Sequence, residues 1–267
     1  MLRRSFLALA AAAPAWEKIK TRGARVEKVF DSPGPKPNGL QATDEGLWIL
    51  DQGNNHAYLV SFEDGRVLRD LHTDSDRGSG ITFDGKAIWI GSTYNRKIIR
   101  SDAKTGETLA DFYTPGAGVI YRMPNDAPGR RSPLLPPPVA SRPERSRGPS
   151  SAPRMGTGAH GLEWREGRLW AAVPPSRMIY RIEPKSWVVE HQFPTAGNRP
   201  HGIGWEGRWL WCTDSNLNAF FKHDPDSGEI IEKIQLGDSD PLPHGMSIRE
   251  RTMWYCDDIG IVCRLKM

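Results

Sequence analysis

The sequence predicts an all-β protein, a β-propeller of five four-stranded blades, and three observations carry that prediction. One pattern recurs about every forty residues, and each copy holds an aliphatic-Trp strand. The 27 Gly and 22 Pro among 267 residues suit many short strands joined by tight turns and exclude a helical bundle. No segment shows the apolar period that long helices need. Ten Trp within 38% apolar residues provide for a real core.

Each copy opens with a polar residue, a glycine and an aliphatic: Asn38-Gly39-Leu40, Ser79-Gly80-Ile81, His160-Gly161-Leu162, His201-Gly202-Ile203 and His244-Gly245-Met246. The second strands contain Leu47-Trp48, Ile88-Trp89, Leu169-Trp170, Leu210-Trp211 and Met253-Trp254. A third strand runs into a turn such as Asp102 to Gly106 or Asp224 to Gly228, and a fourth closes the unit, as in Thr108 to Phe112 and Ile230 to Ile234. The last copy stops after Val262-Cys263-Arg264-Leu265, so its fourth strand is expected from Val26 to Phe30. Pairing the two chain ends in one blade leaves no open sheet edge at the seam.

The glycines of copies two and three stand 81 residues apart, about twice the usual step. The extra length, residues 117–158, holds nine Pro, five Gly and seven Arg against Asp126 and Glu144. Proline at that density does not sustain central ladders. The segment therefore reads as a Pro/Arg-rich flexible insertion between blades two and three; if it hides a degenerate blade, the count becomes six. Residues 16–267 otherwise form one propeller domain.

Residues 1–15 read as an export signal: Arg3-Arg4, then Ser5-Phe6-Leu7 and a short alanine-rich run, ending in Ala13-Pro14-Ala15. The paired arginines resemble a twin-arginine signal, which predicts a periplasmic or extracellular bacterial protein. The formal net charge is +4. Leader and insertion account for more than all of it, leaving the propeller mildly acidic, so a nucleic-acid partner is not expected. No other apolar run approaches membrane length, and without a P-loop or dinucleotide fingerprint no nucleotide cofactor is expected.

In a propeller the residue just before each innermost strand sits at one mouth of the central channel. Here those positions are Asn38, Ser79, His160, His201 and His244, so three successive blades offer an imidazole to one small space. Imidazole suits a divalent metal, a general base or an anionic ligand. It equally suits a turn residue bonded to the next blade, with glycine chosen for close approach. A second aligned set, three residues after each repeat Trp, is Asp51, Ser92, Val173, Asp214 and Asp257. Its carboxylates either join the imidazoles around a cation or cap the turns that follow. The candidate metal ligands are thus His160, His201, His244, Asp214 and Asp257, and the candidate bases His201 and His244. Candidate contacts to a small-molecule or peptide ligand are Asn38, Ser79, Arg199 and Glu163. The repeat Trp residues read as core; Trp164, Trp205 and Trp209 are less regular and available to stack on a ligand. Cys256 and Cys263 either pair across a hairpin or stay reduced beside Cys212.

The units Pro200-His201-Gly202-Ile203 with Leu210-Trp211-Cys212-Thr213-Asp214, and Pro243-His244-Gly245-Met246 with Met253-Trp254-Tyr255-Cys256-Asp257, resemble repeats of the virginiamycin B lyase group. That group belongs to a wider set with NHL-repeat proteins and the gluconolactonase/senescence-marker family. The resemblance implies a His base at the mouth near a divalent cation and strand-end carboxylates, with His201, His244, Asp214 and Asp257 at those places. The group's Glu two residues before the catalytic His is replaced by Arg199 and Leu242. The Gly-Leu and Leu-Trp units are also similar to plant-type glutaminyl cyclases, which have five blades. Two classes of function follow: a propeller that binds a ligand at its mouth, or a lyase, hydrolase or glutaminyl cyclase-like enzyme.

Overall fold

A computed structural model describes residues 19–118 and 156–267. The expected export signal and all but the ends of the expected insertion lie outside the described residues. Every regular element described is a strand. The chain enters through β1 (Lys20–Gly23) and β2 (Glu27–Asp31). Blade one is β3 (Pro37–Ala42), β4 (Leu47–Asp51), β5 (His56–Val60) and β6 (Val67–His72). Blade two is β7 (Gly78–Phe83), β8 (Ala87–Ser92), β9 (Lys97–Asp102) and β10 (Thr108–Tyr113). Blade three is β11 (Gly161–Arg165), β12 (Arg168–Val173), β13 (Met178–Glu183) and β14 (Val188–Pro194). Blade four is β15 (Pro200–Glu206), β16 (Trp209–Asp214), β17 (Ala219–His223) and β18 (Ile230–Gln235). Blade five is β19 (Met246–Arg249), β20 (Thr252–Cys256) and β21 (Ile261–Lys266), completed by β2.

The closure matches the sequence expectation: β2 pairs antiparallel with β21, Glu27 opposite Arg264 and Asp31 opposite Ile261. A bidentate ion pair from Arg264 to Glu27 at 2.8 Å reinforces the seam. The sequence did not announce β1, which adds to the outer edge of β18 as a parallel fifth strand, with Arg22 opposite Ile234. The N-terminal segment therefore spans blades four and five before blade one begins.

The core lies in the spaces between successive sheets. The repeat Trp residues are all buried, as expected, and each carries a basic side chain over its ring. Arg69 lies 5.7 Å from the Trp48 ring centre, Arg100 5.7 Å from Trp89, Arg181 5.8 Å from Trp170, Lys222 5.5 Å from Trp211 and Arg264 5.7 Å from Trp254. In four of the five blades this cation is directly opposite the Trp on the third strand. The ring shields the stem while the charge stays near solvent, so a wide aromatic fits at the sheet surface.

At the axis the constraint is backbone against backbone. A Cβ on Gly39 would lie 2.7 Å from the Ser79 carbonyl oxygen, on Gly80 3.0 Å from Gly161, and on Gly245 2.8 Å from the Asn38 carbonyl oxygen. On Gly161 and Gly202 it would overlap His201 O and Met246 N. Each glycine thus faces the next blade, and the fifth faces the first. Contact of Gly80 with Gly161 makes blades two and three immediate neighbours, which removes the six-blade alternative. The chain leaves after Gly118 and returns at Thr157 through a two-residue antiparallel bridge.

All three cysteines are buried and free. Tyr255 pairs with Cys263 and Cys256 with Val262, so the two thiols occupy opposite faces of the sheet. The disulfide alternative for Cys256 and Cys263 is thereby excluded.

A Gly202→Ala substitution should cost about 3 kcal/mol or more, since the clash is with fixed backbone. Gly23→Ala, with nothing within 4 Å of its added Cβ, should stay within about 0.5 kcal/mol of the parent. Urea unfolding of the two variants measures the difference, and equal midpoints would refute a steric role for the axial glycines.

Candidate functional site at the channel mouth

The first strand of every blade starts at the mouth and the second ends there, as the pairing of Pro37 with Asp51 and Pro200 with Asp214 records. That register brings the five mouth residues into one ring. The three imidazoles are in contact: ring centres of His160 and His201 are 4.8 Å apart and those of His201 and His244 4.6 Å, both edge-to-face. All three side chains are buried.

Their hydrogen bonds fix where the protons sit. Ser215 Oγ donates to the Pro243 carbonyl at 2.6 Å, so it can only accept from His201 Nδ1, 3.1 Å away. The Arg199 carbonyl, also 3.1 Å from Nδ1, is likewise an acceptor. His201 therefore carries its proton on Nδ1, and its Nε2 accepts from His160 Nδ1–H at 3.2 Å. This places the His160 lone pair on Nε2. His244 Nδ1 lies 3.4 Å from the Leu242 carbonyl, and its Nε2 3.9 Å from Asp258 Oδ2. Ser79 Oγ accepts from Gln52 Nε2 at 3.0 Å and Thr93 Oγ1 at 2.9 Å. Asn38 is 3% exposed and its Oδ1 is buried without a hydrogen-bond partner.

Burial, reinforced by the neighbouring His244, His160 and Arg199, holds the His201 pKa well below the usual imidazole value. Burial and the Arg199 charge likewise lower His244, against the opposing pull of Asp258. His201 and His244 are accordingly neutral near neutral pH.

The strand-end carboxylates act differently from the metal-ligand expectation. Asp214 Oδ2 accepts the Arg199 amide at 2.9 Å, and its Oδ1 accepts the amides of Asn216 and Leu217, each at 3.0 Å. Asp257 Oδ1 accepts Ile259 N at 3.0 Å and Ile261 N at 2.8 Å. Asp51 caps its own turn the same way, through Gly53 at 2.7 Å and Asn54 at 3.0 Å. These are turn caps, the other reading of the aligned set. With the Asp214 oxygens held by amides and both His201 nitrogens bonded, these two of the five residues do not fit a metal. Among the described residues no cluster of three or more His, Cys, Asp or Glu side chains is arranged to hold one.

Glu163 lies one layer deeper than the mouth. Three residues past each mouth position, the inner strands present Gln41, Thr82, Glu163, Gly204 and Ser247 to the channel. Thr82 Oγ1 donates to Gln41 Oε1 at 2.6 Å, and Gln41 Nε2 reaches Ser247 Oγ at 3.4 Å. Burial dominates at Glu163 and pushes its carboxyl up to about 8, only partly offset by the Trp164 amide and Gln41. Ser215 and Asp258 were not singled out from the sequence. Each directly follows one of the aligned aspartates, which is the only sequence signal that marks them.

A five-bladed β-propeller with a polar, imidazole-lined mouth is the class these features define. No family model and no curated protein matches the sequence. Among solved structures the chain is similar to the glutaminyl cyclase of Myxococcus xanthus, with a TM-score of 0.65 over 93% of this chain and 99% of that one, at 9% identity. It is also similar to virginiamycin B lyase from Staphylococcus aureus, with a TM-score of 0.48 over 86% of this chain and 66% of that one, at 19% identity. A streptogramin B lyase structure gives 0.48 over 91% and 97%, at 16% identity. Both groups named from the repeats are among these neighbours, and at such identities the likeness concerns the fold. No helix among the described residues is long and apolar enough to cross a membrane.

Glu163 generates a pH prediction. The folded state holds its proton up to about pH 8, whereas the unfolded carboxyl releases it near 4.5. The stability this group allows is therefore complete below about pH 4.5 and is lost as pH rises through about 8. Glu163→Gln keeps the shape and cannot ionise. Relative to the parent it should gain on the order of 3 kcal/mol between pH 5 and pH 9 in urea unfolding; a difference that does not change with pH would contradict the buried, protonated carboxyl.

Proposed function

We propose that the mouth binds a small peptide-like ligand and leaves it intact. The observation that carries this reading is the bonded imidazole pair His160 and His201, anchored through Ser215 on a carbonyl, with His244 packed on it. Neutral rings held in one tautomer offer acceptors to N–H groups and keep no charge that would demand a counter-ion. Asn38 Oδ1 adds a buried acceptor that lacks a donor, and leaving it so costs about 1–3 kcal/mol. Arg199, close enough to depress both His201 and His244, supplies the opposite chemistry for a carbonyl. A peptide unit carries one donor and one acceptor and answers both.

An enzymatic reading, lyase-like, lactonase-like or glutaminyl cyclase-like, has one observation in its favour. Asp258 lies 3.9 Å from His244 Nε2, where it would stabilise an imidazolium formed by proton abstraction. Against it, the depressed His244 pKa makes a weak base at neutral pH, and both nitrogens of His201 are already bonded.

A Gln-Gly dipeptide amide separates the two readings. In NMR of the full chain labelled with 15N-histidine, the binding reading expects shifts at the His160 and His244 imidazoles, an intact probe, and affinity weakened about tenfold in Asn38→Ala and His244→Ala. Ammonia release or cleavage that disappears in His244→Ala would establish the enzymatic reading instead, and no shift at either imidazole would refute both. We further propose export through the Arg3-Arg4 signal. Expression in a bacterium should yield a periplasmic product beginning at Trp16, and full-length protein confined to the cytoplasm would refute it.

A further inference from the structure

We infer that a second binding site, for a small oxyanion, lies in the groove between blades three and four, at the far end of the inner strands from the imidazoles. A cavity of about 660 Å³ opens there, within the usual range for a small ligand.

Its chemistry follows from a change of sign between blade three and the two blades that flank it. In blades two and four the residue five places before the repeat Trp is an acid that serves the Trp and its cation together. Asp84 accepts from Trp89 Nε1 at 2.9 Å and faces Arg100 at 3.4 Å. Glu206 accepts from Trp211 Nε1 at 3.0 Å and faces Lys222 at 2.7 Å. In blade three that residue is Arg165. Arg181 has therefore lost the acid of its own motif and shares Glu190 with Arg168, at 3.4 and 2.8 Å. Arg165 lies 4.3 Å over the Trp205 ring of blade four, and its carboxylate partner Glu166 has a side chain 80% exposed.

With Arg208, which pairs with Asp224 at 3.0 Å, four guanidiniums line the groove, and the carboxylates of Glu166, Glu190 and Asp226 stand among them. One lining residue also carries a buried N–H group that makes no hydrogen bond, Trp205 Nε1. It is a donor. A ligand rich in acceptors satisfies it, and a guanidinium fork matches the two oxygens of a carboxylate or phosphate. Arg165 already covers one face of Trp205, and Trp170 meets Arg181 and, at a T-shaped contact of 5.1 Å, Trp205. Stacking of a planar ligand is thereby disfavoured, and the oxyanion is the part recognised.

Calorimetric titration of the full chain at low salt with inorganic phosphate and, separately, succinate tests this. The expected result is saturable one-to-one binding of at least one probe, a shift of the Trp205 indole N–H resonance, and a roughly tenfold or greater loss in Arg165→Gln. Preference between the probes assigns phosphate or carboxylate. Arg264→Gln in blade five and His244→Ala at the mouth should bind as the parent does, so this site and the mouth stand or fall separately. If Arg165→Gln does not fold, Arg208→Gln, whose side chain is 67% exposed in its pair with Asp224, should show the loss. No saturable binding of either probe, or an equal loss in Arg264→Gln, would overturn the inference.

Discussion

The close approach of five backbones around one axis governs the rest of the structure. Each inner strand meets the next through a glycine that has no room for a Cβ, and the cycle closes only because Gly245 meets blade one while β2 completes blade five. A ring this narrow fixes what can stand on either side of the glycines. One residue earlier, side chains converge at the mouth; two residues later, they meet inside the channel. The short distances between imidazoles at the mouth are a consequence of that contact, since neighbouring blades cannot be further apart there.

The same crowding sets the electrostatics. Three imidazoles in edge-to-face contact and cut off from water cannot all be protonated, because each charge would lack solvent and repel the next. His201 and His244 resolve this by staying neutral, and the His201 proton is passed toward the carbonyl oxygen of Arg199 while Ser215 donates to that of Pro243. Glu163, deeper in the channel, resolves the same problem with the opposite proton count and keeps its proton to about pH 8. His201, His244 and Glu163 are thus polar yet uncharged near neutral pH, while Arg199 and Asp258 bring charge close to the imidazoles.

The ring and its mouth were legible in the sequence because both are properties of register. A polar-Gly-aliphatic triplet every forty-one residues or so determines which positions meet, and Val26 to Phe30 was the one strand left for blade five. What register does not encode is how a side chain spends its hydrogen bonds. An aspartate at a strand end reads identically whether it ligates a metal or caps a turn, and only the amide distances at Asp214 and Asp257 decide. Cys256 and Cys263 stayed open for a similar reason: seven residues apart across a hairpin allows pairing, and the one-residue offset in the ladder, which puts them on opposite faces, is what decides for free thiols. β1 carried no signal because an edge strand without a buried face, Lys20–Gly23, has no apolar alternation to read.

Blade three departs from the repeat more than its neighbours do. It keeps Gly161 and Trp170, which the axis and the core require. Elsewhere it changes: Val173 stands where the other blades have Asp or Ser, and Glu163 is the only carboxyl of the channel layer. Trp187 adopts φ 56° at the turn where blades one, two and four have Gly65, Gly106 and Gly228, and it stacks on Phe112 of blade two at 4.1 Å. Arg165 replaces the acid of both flanking blades. A bulky aromatic in the left-handed region carries strain that a glycine would avoid, so that position is held by its packing and not by turn preference. Conflict between local preference and structure tends to gather where a repeat has been put to specific use. Here it gathers in the blade whose inner strand follows His160 of the imidazole cluster and ends at Arg165 in the arginine groove, beside β15, which joins the same two sites through His201 and Trp205.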